Sequence, residues 1–322
     1  MLFRSRASTT ATPRRTPAVF FWPCAISTAW AGPPSLSASV KPSRVAATAE
    51  PAAHGAKQST ASIPDFSGVW NHSIPGFEPL ASGPTALVNR ERRPNGTGNI
   101  LKLVGDYTIL KPQAAEIVKK HAELGLKGIG DPNTRNQCWP SGGPFIFTER
   151  PTVLRQTPNK VTILYGHDHQ VRQVRLNATH PAEVTPSWYG DSVGHYEGDT
   201  LVVDTVGFKV GPYSVLDWYG TPFTEAMHVI ERYRMLDYAA AKDGFDRDAK
   251  EHNPVQGTPN ASGKYLQLQF TIEDENVFTT PWTATMTYVQ DPDGWTEMVC
   301  AENLQWYSGK NADAPRATQP DF

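Results

Sequence analysis

A chain of 322 residues that is 39% hydrophobic and 10% aromatic, with nine tryptophans, carries enough apolar mass for one large domain or two small ones. Only 19% of its residues are charged, its formal net charge is −2, and no long run of one sign occurs. That balance argues against a nucleic-acid partner, whose phosphates require a basic footprint.

Basic residues are Arg4, Arg6, Arg14, Arg15, Lys41 and Arg44 before the first acid, Glu50. Among them TPAVFFWPCAISTAWA is an apolar stretch ending in Ala29-Trp30-Ala31, a small-x-small cleavage pattern followed by Gly32. It is too short and interrupted to cross a bilayer as a helix, so no membrane span is expected. Residues 1–31 read as a secretory signal, with an Arg-rich organelle transit peptide as the rival, and the protein is expected to be secreted or periplasmic. Cleavage after Ala31 removes four of the 30 basic residues and none of the 32 acids, leaving a net charge of about −6. Residues 32–63, rich in Ser, Ala, Pro and Thr without periodicity, read as a disordered linker. Removing the leader also removes Cys24 and leaves Cys138 and Cys300, which an oxidising compartment would bridge; two buried thiols are the alternative. Glycosylation sequons stand at Asn71, Asn95, Asn177 and Asn260.

One helix is predicted near 112–127. Pro112 opens it, Ala114, Ile117, Val118 and His121 recur at helical spacing, Glu116 precedes Lys120 by four, and glycines close it. From Pro144 onward the period changes to two. TVLRQT, VTILYG and QVRQVRL, separated by PNK and HDH, predict a meander. SVGHY, a turn at Glu197-Gly198-Asp199 and TLVVDTV predict a hairpin. KYLQLQFTI follows, then TATMTYVQ and WTEMVC joined by Asp291-Pro292-Asp293-Gly294. About ten strands with short, hence antiparallel, connections point to a single mainly-β domain over 64–322, a barrel or a two-layer sandwich.

Three groups of residues can carry chemistry. His167 and His169 flank one residue, a spacing at which a strand directs both imidazoles to one ion; they also fall between strands, and no metal and no cofactor are predicted. In MHVIERYRML a strand puts His228, Ile230, Arg232 and Arg234 on one face and Val229, Glu231 and Tyr233 on the other; a helical turn would gather His228, Glu231 and Arg232. His228 is the candidate acid/base, Arg232 and Arg172 the anion anchors, Asp217 or Asp204 the orienting carboxylate, and Tyr165 a second proton donor. Asp204 shares its face with Val202 and Val206, either solvated or buried and paired. The aromatic loop 213–219 offers Tyr213, Trp218 and Tyr219, with Tyr233, as walls of a ligand pocket. No nucleophile elbow, phosphate loop or dinucleotide fingerprint occurs.

SGVW at 67–70, CWPSGGP at 138–144, QTPNKVTILY at 156–165, HPAEVTPSWYGDSVGHYEGDTLVVDTVGF at 180–208, HVIERY at 228–233 and CAEN at 300–303 together resemble a family of bacterial proteins, mostly predicted to be secreted, with no established reaction. The resemblance covers about 62–305 and implies that Cys138 and Cys300 belong to the structural framework. The family pattern places a Trp where this chain has Tyr196 and a His where it has Asp191. Gly68-x-Trp70 also resembles the first strand of lipocalins and related calycin barrels, which favours a barrel. Two functions follow as expectations, a domain that holds a small apolar or aromatic ligand and a cofactor-free lyase, isomerase or hydrolase in the same pocket. An extracellular interaction module is the third.

Overall fold

The computed structural model describes residues 63–72, 77–80, 107–126, 133–135, 137–251, 262–296 and 298–300. The expected signal at 1–31, the expected linker apart from Ile63, and the sequons at Asn95 and Asn260 lie outside them.

Alternating burial generates the architecture. In β4 (Lys160–Tyr165) Val161, Ile163 and Tyr165 are buried and their neighbours half-buried; in β5 (Gln170–Leu176) Gln170, Arg172, Val174 and Leu176 are buried while Val171, Gln173 and Arg175 face out. The same rule runs through β3 (Thr152–Thr157), β8 (His228–Leu236) and the later parts of β7 (Thr200–Val206) and β9 (Tyr265–Glu273), whose residues 201–203 and 265–268 are buried on both faces. With β6 (Asp191–Glu197) and β10 (Trp282–Gln290) they form consecutive neighbours, and β1 (Gly68–Asn71) pairs with both β3 and β10. The sheet therefore closes into a nine-stranded barrel, as the mainly-β reading and the Gly68-x-Trp70 strand led us to expect. A two-residue β2 (Glu78–Pro79) lies against β10 at Ala284 and Thr285.

One pair departs from the antiparallel expectation. β5 and β6 run parallel, with Val174 opposite Ser192 and Leu176 opposite Gly194. The physical reason is the connection 177–190, which returns along the barrel before β6 starts; parallel neighbours require such a crossover. The β6–β7 turn is as predicted: Gly198 has φ +63°, a left-handed conformation that favours glycine, and its surroundings are open.

The predicted helix is α1 (Pro112–Leu126). Its buried stripe is Ala114, Ala115, Val118 and Ala122, whereas Ile117 is exposed, and Glu116 pairs with Lys119 rather than Lys120. A second helix, α2 (Tyr238–Glu251), was not anticipated; Asp237 caps it by accepting the Ala240 N–H, and Ala241 and Phe245 pack on Tyr265. Two further expectations are corrected. Residues 143–148 form a 3₁₀ helix, wholly buried, instead of starting the strand period. The described residues of WTEMVC form no strand: Met298 makes an isolated bridge to His167, because Asp168 accepts the Cys300 N–H and donates its own N–H to the Met298 carbonyl, drawing this segment to the β4–β5 loop.

Candidate functional site

The predicted catalytic residues do not meet in one pocket. Strand alternation sends them to opposite sides of the barrel wall. The fold therefore contains a filled lumen, a half-exposed histidine–carboxylate chain outside it, and an aromatic crevice at its rim.

Tyr165, Arg172 and Tyr233 face the lumen. Arg172 forms a bidentate pair with Glu231, Nη1 to Oε2 at 2.8 Å and Nη2 to Oε1 at 2.5 Å, and also donates to Ser192 Oγ and Thr205 Oγ1. Burial opposes its charge, yet the Glu231 carboxylate holds its pKa well above the ordinary guanidinium value. Tyr233 donates to Glu231 Oε2 at 2.7 Å. Burial pushes the Tyr165 phenol up to about 12 and holds the Tyr233 phenol well above its ordinary value, so neither exchanges protons near neutrality. Phe147 of the 3₁₀ helix enters the same space, its carbonyl bonded by the Tyr288 hydroxyl. What remains among Trp70, Phe147, Thr152, Leu154, Tyr165, Tyr233, Leu266 and Tyr288 is a cavity of about 10 Å³, close to the room one water needs. Arg172, Tyr165 and Tyr233 thus lie in the buried polar core of the barrel, apart from His228 and Asp204.

His228 and Asp204 do come together, on the outer wall. His228 Nε2 is 2.8 Å from Asp204 Oδ1, and the same oxygen lies 3.3 Å from His180 Nε2. His180 Nδ1 stands 2.6 Å from Asp191 Oδ2, which Arg175 clamps, and His228 Nδ1 is 3.5 Å from Glu273. The order Glu273, His228, Asp204, His180, Asp191, Arg175 therefore runs across β9, β8, β7, the 177–190 crossover, β6 and β5. The Arg175 hydrogen bond, followed by that of His180, draws the Asp191 carboxyl below its usual range. Asp204 is solvated and paired at once, because a strand residue flanked by valines on the convex face still reaches two imidazoles. His180 supplies an imidazole beside Asp191. Arg232 shares this wall but turns away, pairing with Glu197 at 2.7 Å. With Arg234, Thr200, Gln267 and Gln269 it lines only a shallow recess of about 110 Å³.

Asp217 is structural. Its carboxylate accepts the Tyr219 N–H, the Thr221 N–H and the Thr221 hydroxyl at 2.7–3.1 Å, closing the aromatic loop on itself, while burial raises its pKa against those bonds. Tyr219 is buried in the main core, and Trp218 lies between Phe145 and the Arg135 guanidinium. Of the four predicted ligand-binding aromatics, only Tyr213 approaches an open site, packing edge-on against Trp139.

That site is a crevice of about 470 Å³ lined by Cys138, Trp139, Pro140, Asp168, His169, Gln170, Val171 and Tyr189. Trp188 packs edge-on behind Trp139, with the Lys209 ammonium 4.8 Å above its ring, and His169 tilts against the exposed Trp295. Tyr189 donates to Gln170 Oε1 at 2.9 Å, and burial, reinforced by the Asp168 charge, raises its phenol to about 12; it therefore enters the crevice as a ring and not as an acid. Trp139, Trp188 and Tyr189 are not among the site residues expected from the sequence. Their signal was two Trp-bearing, Pro/Gly-rich blocks that loop chemistry alone does not need.

His167 and His169 do not converge: His167 is fully buried and His169 exposed, since Asp168 and His169 both take positive φ and break the strand alternation. His167, Asp168 and Cys300 have donor atoms within 4.8 Å of one another. Cys300, however, is bonded to Cys138, with the Cα atoms 5.4 Å apart, leaving two donors, too few for a closed metal site. Comparison with protein-family models, curated proteins and solved structures finds no match for this chain.

Proposed function

We propose that the protein is an exported β-barrel that binds a small ligand with a flat apolar or aromatic face in the crevice at the barrel rim. The observation that carries this reading is the contrast in free volume: about 470 Å³ between Trp139 and Tyr189, against about 10 Å³ in the lumen. Trp139 and Tyr189 are held by neighbouring rings and a hydrogen bond, so they lose little freedom when a ligand stacks on them. Asp168, His169 and Gln170 give the crevice a polar floor that orients such a ligand.

Native mass spectrometry of the secreted protein, before and after denaturation, tests the reading. A co-purifying small molecule that is lost on denaturation, and whose affinity falls at least about tenfold in Trp139→Ala, supports it. A ligand unaffected by Trp139→Ala, or a chain retained inside the cell with residues 1–31 still attached, overturns it.

A second reading is favoured by the 2.8 Å contact between His228 and Asp204: acid–base catalysis without a cofactor on the outer wall. It predicts that His228→Ala abolishes turnover of the identified ligand and leaves its binding intact. Turnover that survives the substitution removes His228 from the chemistry.

A further inference from the structure

The disulfide Cys138–Cys300 places its two sulfurs in unlike surroundings. Cys138 is partly exposed and forms part of the crevice wall. Cys300 is fully buried. Beside it, with a ring nitrogen within 4.8 Å of its sulfur, stands His167, also fully buried; its Nδ1 faces the Asp168 carboxylate, while its Nε2 has no hydrogen-bond partner among the described residues. A buried ring nitrogen left without a partner costs free energy, and a disulfide that only tethers two segments has no need of it. The Arg135 carbonyl oxygen lies 3.0 Å from Cys300 Sγ, placed to accept the S–H of a released thiol. Asp168 fixes the geometry from below, accepting the Cys300 N–H at 2.8 Å with its Oδ2 at 3.2 Å from His167 Nδ1.

We propose that Cys138–Cys300 is a thiol–disulfide exchange centre that acts on thiols entering the crevice. A substrate thiolate attacks Cys138 Sγ, the exposed sulfur. A new S–S bond forms to Cys138 as the Cys138–Cys300 bond breaks, and its electron pair leaves on Cys300 Sγ. The proton given up by the attacking thiol reaches Cys300 through His167, and the resulting thiol bonds to the Arg135 carbonyl. A second substrate thiol then attacks the mixed disulfide, leaving as the substrate disulfide and releasing Cys138 as a thiolate. Two substrate thiols lose two electrons and the protein disulfide gains them; a disulfide co-substrate restores the oxidised centre by the same exchange in reverse. The proposal needs the crevice to admit a thiol, not the ligand proposed above, so the two readings fail separately.

The test exposes the native, full-length exported protein to reduced glutathione, quenches with acid, and maps adducts by peptide mass spectrometry. Expected is a glutathione adduct on Cys138 and none on Cys300, formed faster than global unfolding measured under the same conditions. Reduction that proceeds only at the unfolding rate, or an adduct on Cys300, overturns the proposal. In His167→Asn, opening is expected to slow about tenfold or more while the disulfide stays formed. An unchanged rate removes His167 from the mechanism. Should that variant fail to fold, the wild-type adduct map and rate comparison decide the matter alone.

Discussion

Replacing Arg172 by Met removes a cation from the barrel lumen and leaves Glu231 buried with, among the described residues, only the Tyr233 and Thr205 hydroxyls as partners. The lost interactions are two charge-assisted bonds to Glu231, two contacts to Ser192 and one to Thr205. Breaking one side of a buried pair costs about 3–5 kcal/mol, because the abandoned charge is neither hydrated nor paired. The double variant Arg172→Met/Glu231→Leu removes both charges and fills their volume. It should recover most of that loss, since a buried pair contributes little beyond what packed apolar groups supply. Urea unfolding followed by tryptophan fluorescence measures each difference, with an unchanged slope required for the comparison. The reasoning is refuted if Arg172→Met costs less than about 1 kcal/mol, or if the double variant is as unstable as the single one.

Asp217→Asn keeps an oxygen for the Tyr219 and Thr221 N–H groups and should unfold near the wild-type midpoint, whereas Asp217→Ala should lose about 1–3 kcal/mol; equal losses would remove the turn role. Asp191, its folded pKa lowered chiefly by Arg175, contributes stability that is present above the unfolded carboxylate value and lost as pH falls through the lower folded one. Asp191→Asn should therefore cost up to about 1 kcal/mol at pH 7 and flatten the acid limb below about pH 4, and thermal melts across pH show whether it does. Reducing the disulfide, whose cysteines are 162 residues apart, should lower unfolding stability by about 2–4 kcal/mol in denaturant titrations, and a change under about 0.5 kcal/mol would mean that it constrains little.

Period-two strands were legible wherever one face is apolar, as in β4 and β5, because burial on a pleated sheet writes itself into alternate residues. The reading of His228 against Glu231 across β8 was legible for the same reason. What alternation cannot say is which face a closed sheet turns inward, so residues from both sides of the wall were gathered into one imagined pocket. Arg172 shows the limit: a charged residue among alternating apolar ones reads as an anion anchor until Glu231, distant in sequence, is seen to neutralise it. The parallel β5–β6 pair was hidden because its long connection holds no helix to announce a crossover. Helix α2 was legible in principle, with Asp237 ahead of three alanines and acids and bases spaced by four at Lys242–Asp246 and Asp243–Arg247. The aromatic crevice was not, because its walls come from three separate loops.

Closure of the sheet by β1 has a practical corollary. Four residues, Gly68–Asn71, join β3 on one flank to Val289 and Gln290 of β10 on the other. Any maturation protease or truncation that cuts beyond them leaves two raw backbone edges, the templates along which chains stack into fibrils. The last safe place to trim the polypeptide is thus ahead of Phe66, whose N–H is held by Gln156 and whose carbonyl holds the Trp70 indole.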